Sequence, residues 1–95
     1  MHILWSPEAL EDLSSLREYI AQDDPVAARR IALRIIRAAE ELLRANPELG
    51  RSGRVSGTRE LVVGKTPYIV PYRVRDNSLQ ILRVYHSSQS WPDKF

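Results

Sequence analysis

The chain contains no cysteine, which excludes disulfides and thiolate metal sites as supports for the fold and is compatible with a reducing compartment. Histidine occurs only at His2 and His86, too few for most zinc sites, so neither a metal nor another cofactor is expected. The four glycines form neither a Walker loop nor a GxGxxG turn. No Asp–His–Ser spacing makes a nucleophile of Ser87, Ser88 or Ser90, which read as polar tail residues. No apolar run approaches the roughly 20 residues of a membrane span. The opening Met-His-Ile-Leu-Trp-Ser-Pro lacks the basic start and longer apolar stretch of a signal peptide. A cytoplasmic protein without membrane contact is the expectation. Internal repeats and low-complexity tracts are also absent.

Ninety-five residues, 43% of them apolar, suffice for one core, and residues 1–95 are expected to form a single domain. So small a domain buries a modest share of its surface, so a partner covering exposed apolar area has a large effect on stability. The net charge of +2 hides an asymmetry. Residues 1–50 carry six Lys/Arg against nine Asp/Glu, whereas residues 51–95 carry eight against three. A basic C-terminal half can face phosphates, nucleic-acid machinery or an acidic partner.

His2–Trp5 is a short apolar run that stops at Ser6-Pro7, a strand followed by a helix with Ser6 as N-cap and Pro7 in its first turn. Leu10, Leu13, Leu16 and Ile20 then recur at helical spacing and are expected in the core. Asp24-Pro25 repeats the start signal, and Ala28, Ile31, Ile35, Ala39 and Leu42 mark a second helix running from Val26 to Asn46. The short link between them predicts an antiparallel helical hairpin. Gly50–Gly57 reads as a mobile loop. Strands are expected at 59–63, 68–74 and 79–85, joined by turns at Gly64–Pro67 and Asp76–Ser78. The class is therefore α+β: an N-terminal strand, an antiparallel helical hairpin and a three-stranded antiparallel meander. Pro71 falls inside the middle strand, where a missing N–H calls for an edge or a bulge.

The cations after Gly50 are Arg51, Arg54, Arg59, Lys65, Arg73, Arg75, Arg83 and Lys94. They could line one side of the sheet as a binding surface, or form the ordinary solvated face of a half-buried sheet. His86 follows the last strand, beside Tyr85 and within possible reach of Arg59 or Arg73 across the meander. An imidazole there suits general acid or base chemistry on a phosphodiester or ribose hydroxyl, and equally suits a histidine that caps a sheet edge. Trp91, with Trp5 and Phe95, could stack on a base, or could dock and tie the tail down, which is the commoner role of a terminal tryptophan.

Gly57-Thr58-Arg59-Glu60-Leu61, Pro67-Tyr68-Ile69-Val70, Tyr72-Arg73-Val74 and Ile81-Leu82-Arg83-Val84-Tyr85-His86 with Trp91-Pro92 follow one another in order and spacing. Together with Trp5-Ser6-Pro7-Glu8-Ala9, an Asp12-bearing helix and the Asn46-Pro47 stop, they resemble the RelE/ParE superfamily of toxins from type II toxin–antitoxin systems. The resemblance spans nearly the whole chain and is nearer to ParE. It implies the same fold as the residue pattern.

Two activities are implied. ParE-like members poison DNA gyrase with no known catalytic site, whereas RelE-like members cut messenger RNA on the ribosome using several Lys/Arg with a Tyr or His. The strand cations of RelE fall near Glu60, Val62 and Ile69 here, none of them basic, and Gln89 stands where many relatives carry an arginine between the histidine and the tryptophan. Gyrase poisoning is therefore the first reading, with growth arrest and plasmid stabilization as its consequences. His86 with Arg59 and Glu60 as helpers keeps the ribonuclease alternative, and a non-toxic binding module is a third. Arg54, Arg73, Arg83 and Trp91 are the candidate target-binding residues. The implied partner is a small, partly disordered, DNA-binding antitoxin whose acidic, amphipathic segment wraps the hairpin and sheet, with a higher-order complex possible.

Overall fold

A computed structural model describes all residues, 1–95. Strand β1 (His2–Trp5) leads into helix α1 (Pro7–Ala21), and helix α2 (Pro25–Arg37) continues through a π-helical turn (Ala38–Leu42) into a last α-helical turn, α3 (Leu43–Ala45). Then follow β2 (Arg51–Ser52), β3 (Arg59–Val62), β4 (Tyr68–Arg75), β5 (Ser78–Ile81) and β6 (Tyr85–His86). Both helix starts are as expected: Ser6 Oγ accepts from Ala9 N–H at 2.9 Å, and Asp24 Oδ1 accepts from Ala27 N–H at 3.0 Å. Ser6 also donates to the sheet, through its N–H to the Ile81 carbonyl and through its hydroxyl to that of Leu82. The residue that begins α1 therefore also fixes it to β5. No helix is long and apolar enough to cross a membrane.

The sheet has the order β1-β5-β4-β3-β2, with β6 pairing back onto β4. All neighbours are antiparallel except β1 and β5, whose parallel pairing makes the sheet mixed. The expected helical hairpin serves as the crossover that a parallel pair requires. A 14-residue core fills the space between the helices and one sheet face, centred on Ile35, Leu43, Val70, Tyr72, Leu79 and Ile81. Tyr72 ties this core to the chain leaving the helices: its hydroxyl donates to the Pro47 carbonyl at 2.7 Å and accepts from Gly50 N–H at 2.8 Å. A Cβ at Gly50 would come within 2.6 Å of the Tyr72 ring, so only glycine allows this approach.

Leu10, expected in the core, faces solvent at 52% exposure, and so does Leu42 of the second helix's apolar set at 51%. In α1 the inward stripe is Ala9, Leu13, Leu16 and Ile20, so the small Ala9 takes the place assigned to Leu10. At Leu42 the cause is the π turn, which inserts one residue into the helical repeat and rotates Leu43 inward in its stead. The same rotation lets Glu40 accept from the Trp5 indole N–H at 2.9 Å and pair with Arg44.

The expected loop at Gly50–Gly57 is in part a strand, since Arg51 and Ser52 pair with Glu60 and Arg59. The expected third strand, 79–85, is broken. Tyr72 pairs with Ile81 but Ile69 pairs with Tyr85, so two residues of β4 oppose three of the partner and the register slips by one. Pro71 lies at this slip. Its carbonyl accepts from Leu82 N–H, and since a strand residue's N–H and C=O point the same way, its missing donor faces the irregular stretch where no ladder bond is due.

The β4–β5 hairpin turns on Asp76 and Asn77, whose φ values of 54° and 59° are those of a type I′ turn. That turn favours glycine at its second position. Asn77→Gly is expected to stabilise the fold by about 0.5 kcal/mol and raise Tm by ~2–4 °C, read by thermal denaturation. A lower Tm would contradict this turn assignment.

Candidate functional surface

Strand alternation sorts the candidate residues onto two faces. Glu60 pairs with Pro71 on the face turned away from the helices, and Ile69, Arg73 and Tyr85 share that outer face. Arg59 pairs with Tyr72 and His86 with Tyr68, so both lie on the helix side. The expectation that Arg59 and Arg73 line one side of the sheet is therefore corrected.

On the outer face Glu60 is 2% exposed and makes three strong bonds. Arg51 donates to it through Nε and Nη2, and the Arg54 N–H donates at 2.7 Å. The Arg54 guanidinium is 3.8 Å from the same carboxylate and lies over the Trp91 ring at 4.0 Å. Trp91 meets Tyr85 edge-on and Phe95 stacks on Tyr85. Trp91 thus docks the tail, while its indole N–H is buried without an acceptor. Burial raises the Tyr85 pKa above its ordinary 10.0, with Arg83 acting against the shift.

Arg73 donates to Gln80 at 2.8 Å. Arg83 makes a two-pronged pair with Asp12 of α1, and the same carboxylate accepts from Val84 N–H. The hydrogen bond to Asp12 raises the Arg83 pKa above its ordinary value. Arg73, Arg83 and Lys94 border a cavity of about 620 Å³ together with Leu4 and Phe95. Asp12 is the residue sequence reasoning missed here, because nothing local marks a helical aspartate as the partner of an arginine 71 positions away.

His86 faces the other way. Its ring meets Tyr68 edge-on, and Nδ1 takes the Ser88 N–H at 3.1 Å and lies 2.8 Å from the Ser88 hydroxyl. Asp12, Tyr19 and Tyr68 share a cleft of about 470 Å³ with it. Burial, then the neighbouring Tyr19, raises the Tyr68 pKa above 10.0. Arg59 lies four residues along β4 from His86, about 13 Å at strand rise, and donates to the carbonyls of Glu48 and Gly50. Glu60 is on the opposite face. The structure therefore brings together Arg54, Glu60 and Trp91, and does not bring Arg59 or Glu60 to His86. No cluster of three or more His, Cys, Asp or Glu side chains is arranged to hold a metal.

The mixed sheet backed by a helical hairpin is a fold also found in solved toxin–antitoxin structures. The structure is similar to one described as the chromosomal ParDE system of P. aeruginosa, with a TM-score of 0.81 and 30% identity over 90% of this chain and 95% of that one. It is also similar to the toxin–antitoxin complex RelBE2 of Mycobacterium tuberculosis, with a TM-score of 0.66 and 25% identity over 93% and 92%. Among curated relatives, the putative toxin Y4kP of Sinorhizobium fredii is 44% identical over 95% of this chain and 92% of its own. Toxin RelE2 of Caulobacter vibrioides is 41% identical over 92% and 96%. Residues 3–91 match the family described as the ParE toxin of the type II toxin–antitoxin system parDE. The chain belongs to this ParE toxin family, within the RelE/ParE superfamily.

Proposed function

We propose that the protein is a type II toxin that poisons DNA gyrase and is held inactive by a cognate antitoxin. The observation that supports this reading is that His86 stands apart from Arg59 while Arg51, Arg54 and Arg83 are engaged by carboxylates. RNA cleavage needs a general base, a general acid and cations around one phosphate, all within hydrogen-bond reach of the reacting atoms. Here the imidazole faces α1, Arg59 is about 13 Å along the sheet, and Arg51, Arg54 and Arg83 are engaged by Glu60 and Asp12. A toxin that acts by binding has no need of that convergence. Arg54, Arg73, Arg83 and Trp91 are the residues proposed to meet the target, and the partner is a small antitoxin, as in the ParDE and RelBE2 assemblies.

Ribosome-dependent messenger-RNA cleavage is the second reading, favoured by the relatives named RelE and by the cleft that joins His86 to Tyr19 and Tyr68. Induced expression separates the two. Gyrase poisoning predicts an early SOS response with translation still running, and His86→Ala retaining full toxicity. Immediate arrest of translation that His86→Ala abolishes would overturn it. Cells that tolerate the protein without its antitoxin would point to a non-toxic binding module.

A further inference from the structure

The outer face of the sheet carries three side chains in register across three strands: Leu4 of β1 opposes Gln80 of β5, which opposes Arg73 of β4. On the same face the tail is held against Tyr85, edge-on by Trp91 and by stacking of Phe95. The cavity of about 620 Å³ lies between that row and the tail, lined by Leu4, Gln80 and Arg73 on one side and by Lys94 and Phe95 on the other. Concave sites of roughly 300–1,000 Å³, mostly apolar with a few placed polar groups, are the usual form of a small-molecule site.

The apolar walls define the body of a ligand. Leu4 and Phe95 are 51% and 41% exposed, so a flat apolar group between them removes surface from water on both sides. The polar groups define its head. Arg73 donates through Nε to Gln80 Oε1 at 2.8 Å. That bond is to a neutral amide, so the charge of Arg73 stays uncompensated, and the Gln80 NH2 group is left to donate beside the guanidinium. Arg83 is already compensated by Asp12. Lys94 and Glu8 also line the cavity, and neither has an ion pair. Setting Asp12 against Arg83 and Glu8 against Lys94 leaves the single positive charge of Arg73. A polyanion exceeds that charge, meets Glu8 and leaves Leu4 and Phe95 against polar surface. A monoanion with an apolar body matches charge and walls together.

We propose that this cavity binds a small monoanion, a carboxylate on a planar apolar body. Arg73 and the Gln80 amide meet the carboxylate, Lys94 faces it from the tail, and Leu4 and Phe95 cover the ring. The site stands whichever target the toxin has. Because the ligand touches both sheet and tail, its binding also ties down the residues that follow Trp91.

The test titrates 1-naphthoate into the full-length protein by calorimetry. Saturable one-to-one binding is expected, with Kd on the order of 1 mM or tighter for a ligand of this size. The uncharged 1-naphthalenemethanol, with the same ring, is expected to bind about tenfold more weakly. Lys94→Glu and Arg73→Met should each weaken naphthoate binding about tenfold, and Leu4→Asp should abolish it. Leu4 is half exposed, so the Tm of Leu4→Asp should stay close to wild type and exclude unfolding as the cause. Arg29→Glu, an exposed charge change on α2, should stay within about twofold of wild type. No binding at ten times that concentration, equal affinity for the neutral analogue, or unchanged affinity in Lys94→Glu and Leu4→Asp would each overturn the site. A DNA fragment that binds in a Lys94-dependent way while naphthoate does not would overturn it in favour of a nucleic-acid surface.

Discussion

Asp12→Ala is expected to destabilise the protein by about 3 kcal/mol, lowering Tm by roughly 12–20 °C. The Asp12 carboxylate accepts from Arg83 Nε at 2.7 Å, from Arg83 Nη2 at 2.9 Å and from Val84 N–H at 2.9 Å. Its side chain is 16% exposed and that of Arg83 is 30%, so water replaces these bonds poorly. Hydrogen bonds to charged groups contribute about 1.5–3 kcal/mol each, and three bonds to one carboxylate do not add fully. Without Asp12 the guanidinium is left over the Tyr85 ring, and Val84 N–H has no acceptor at the point where the strand register slips. Asp12→Asn keeps one acceptor and should lose less. A double-mutant cycle with Arg83→Met isolates the pair, and a loss below about 0.5 kcal/mol for Asp12→Ala would contradict this account. The residues most affected should be Tyr85 and Trp91, which follow directly, so Trp fluorescence should report the change along with Tm.

The second large effect concerns Glu60. Glu60→Ala is expected to lower stability by about 2 kcal/mol. The carboxylate is almost fully buried, but Arg51 and Arg54 are about half exposed at 52% and 47%, so the ion pairs themselves are screened and contribute modestly. Most of the loss should come from the orphaned Arg54 N–H and from the space left by the buried Glu60 side chain. The local consequence is larger than the global one. Residues 53–57 are held to the sheet mainly by Glu60, the Gly53 N–H to Thr58 carbonyl bond and the Thr58 contacts to Val55. Limited proteolysis should therefore cut Glu60→Ala within Gly53–Gly57 much faster than wild type, at a point where global stability still exceeds the loss. Unchanged cleavage there would show that the tail, not Glu60, holds the segment.

Both residues illustrate what a sequence leaves unread. Ser6-Pro7 and Asp24-Pro25 are legible because a cap and a proline act within one helical turn, and both helices start there. The meander was legible from alternation and turn residues. The breaks in it were not. Pro71 signalled trouble in β4, but the response is a register slip in the opposing chain at Leu82–Val84, set by how that chain meets α1. Leu42 obeyed helical spacing and still faces solvent, because a π turn leaves no mark in periodicity until its partners, Trp5 and Glu40, are known. Among the site residues, the docking of Trp91 followed from its place near the end of the sequence, whereas Arg54 over its ring did not. The failure of Arg59, Glu60 and His86 to meet did not either, since face and register are decided by pairing across the sheet. Net charge misled most: in the basic half Arg51, Arg54, Arg59, Arg73 and Arg83 are all engaged by side chains or carbonyls, while Arg30, Arg34 and Arg37 on α2 in the acidic half make no ion pair.

The central claim, that this toxin poisons gyrase by binding, is tested most directly by incubating purified toxin with purified DNA gyrase, ATP and supercoiled plasmid, and trapping cleaved DNA with detergent and protease. The account predicts that linear plasmid accumulates with increasing toxin, equally for wild type and His86→Ala, while a cell-free translation reaction proceeds undisturbed. No linear DNA at any toxin concentration, together with ribosome-bound messages cut by wild type and spared by His86→Ala, would contradict it.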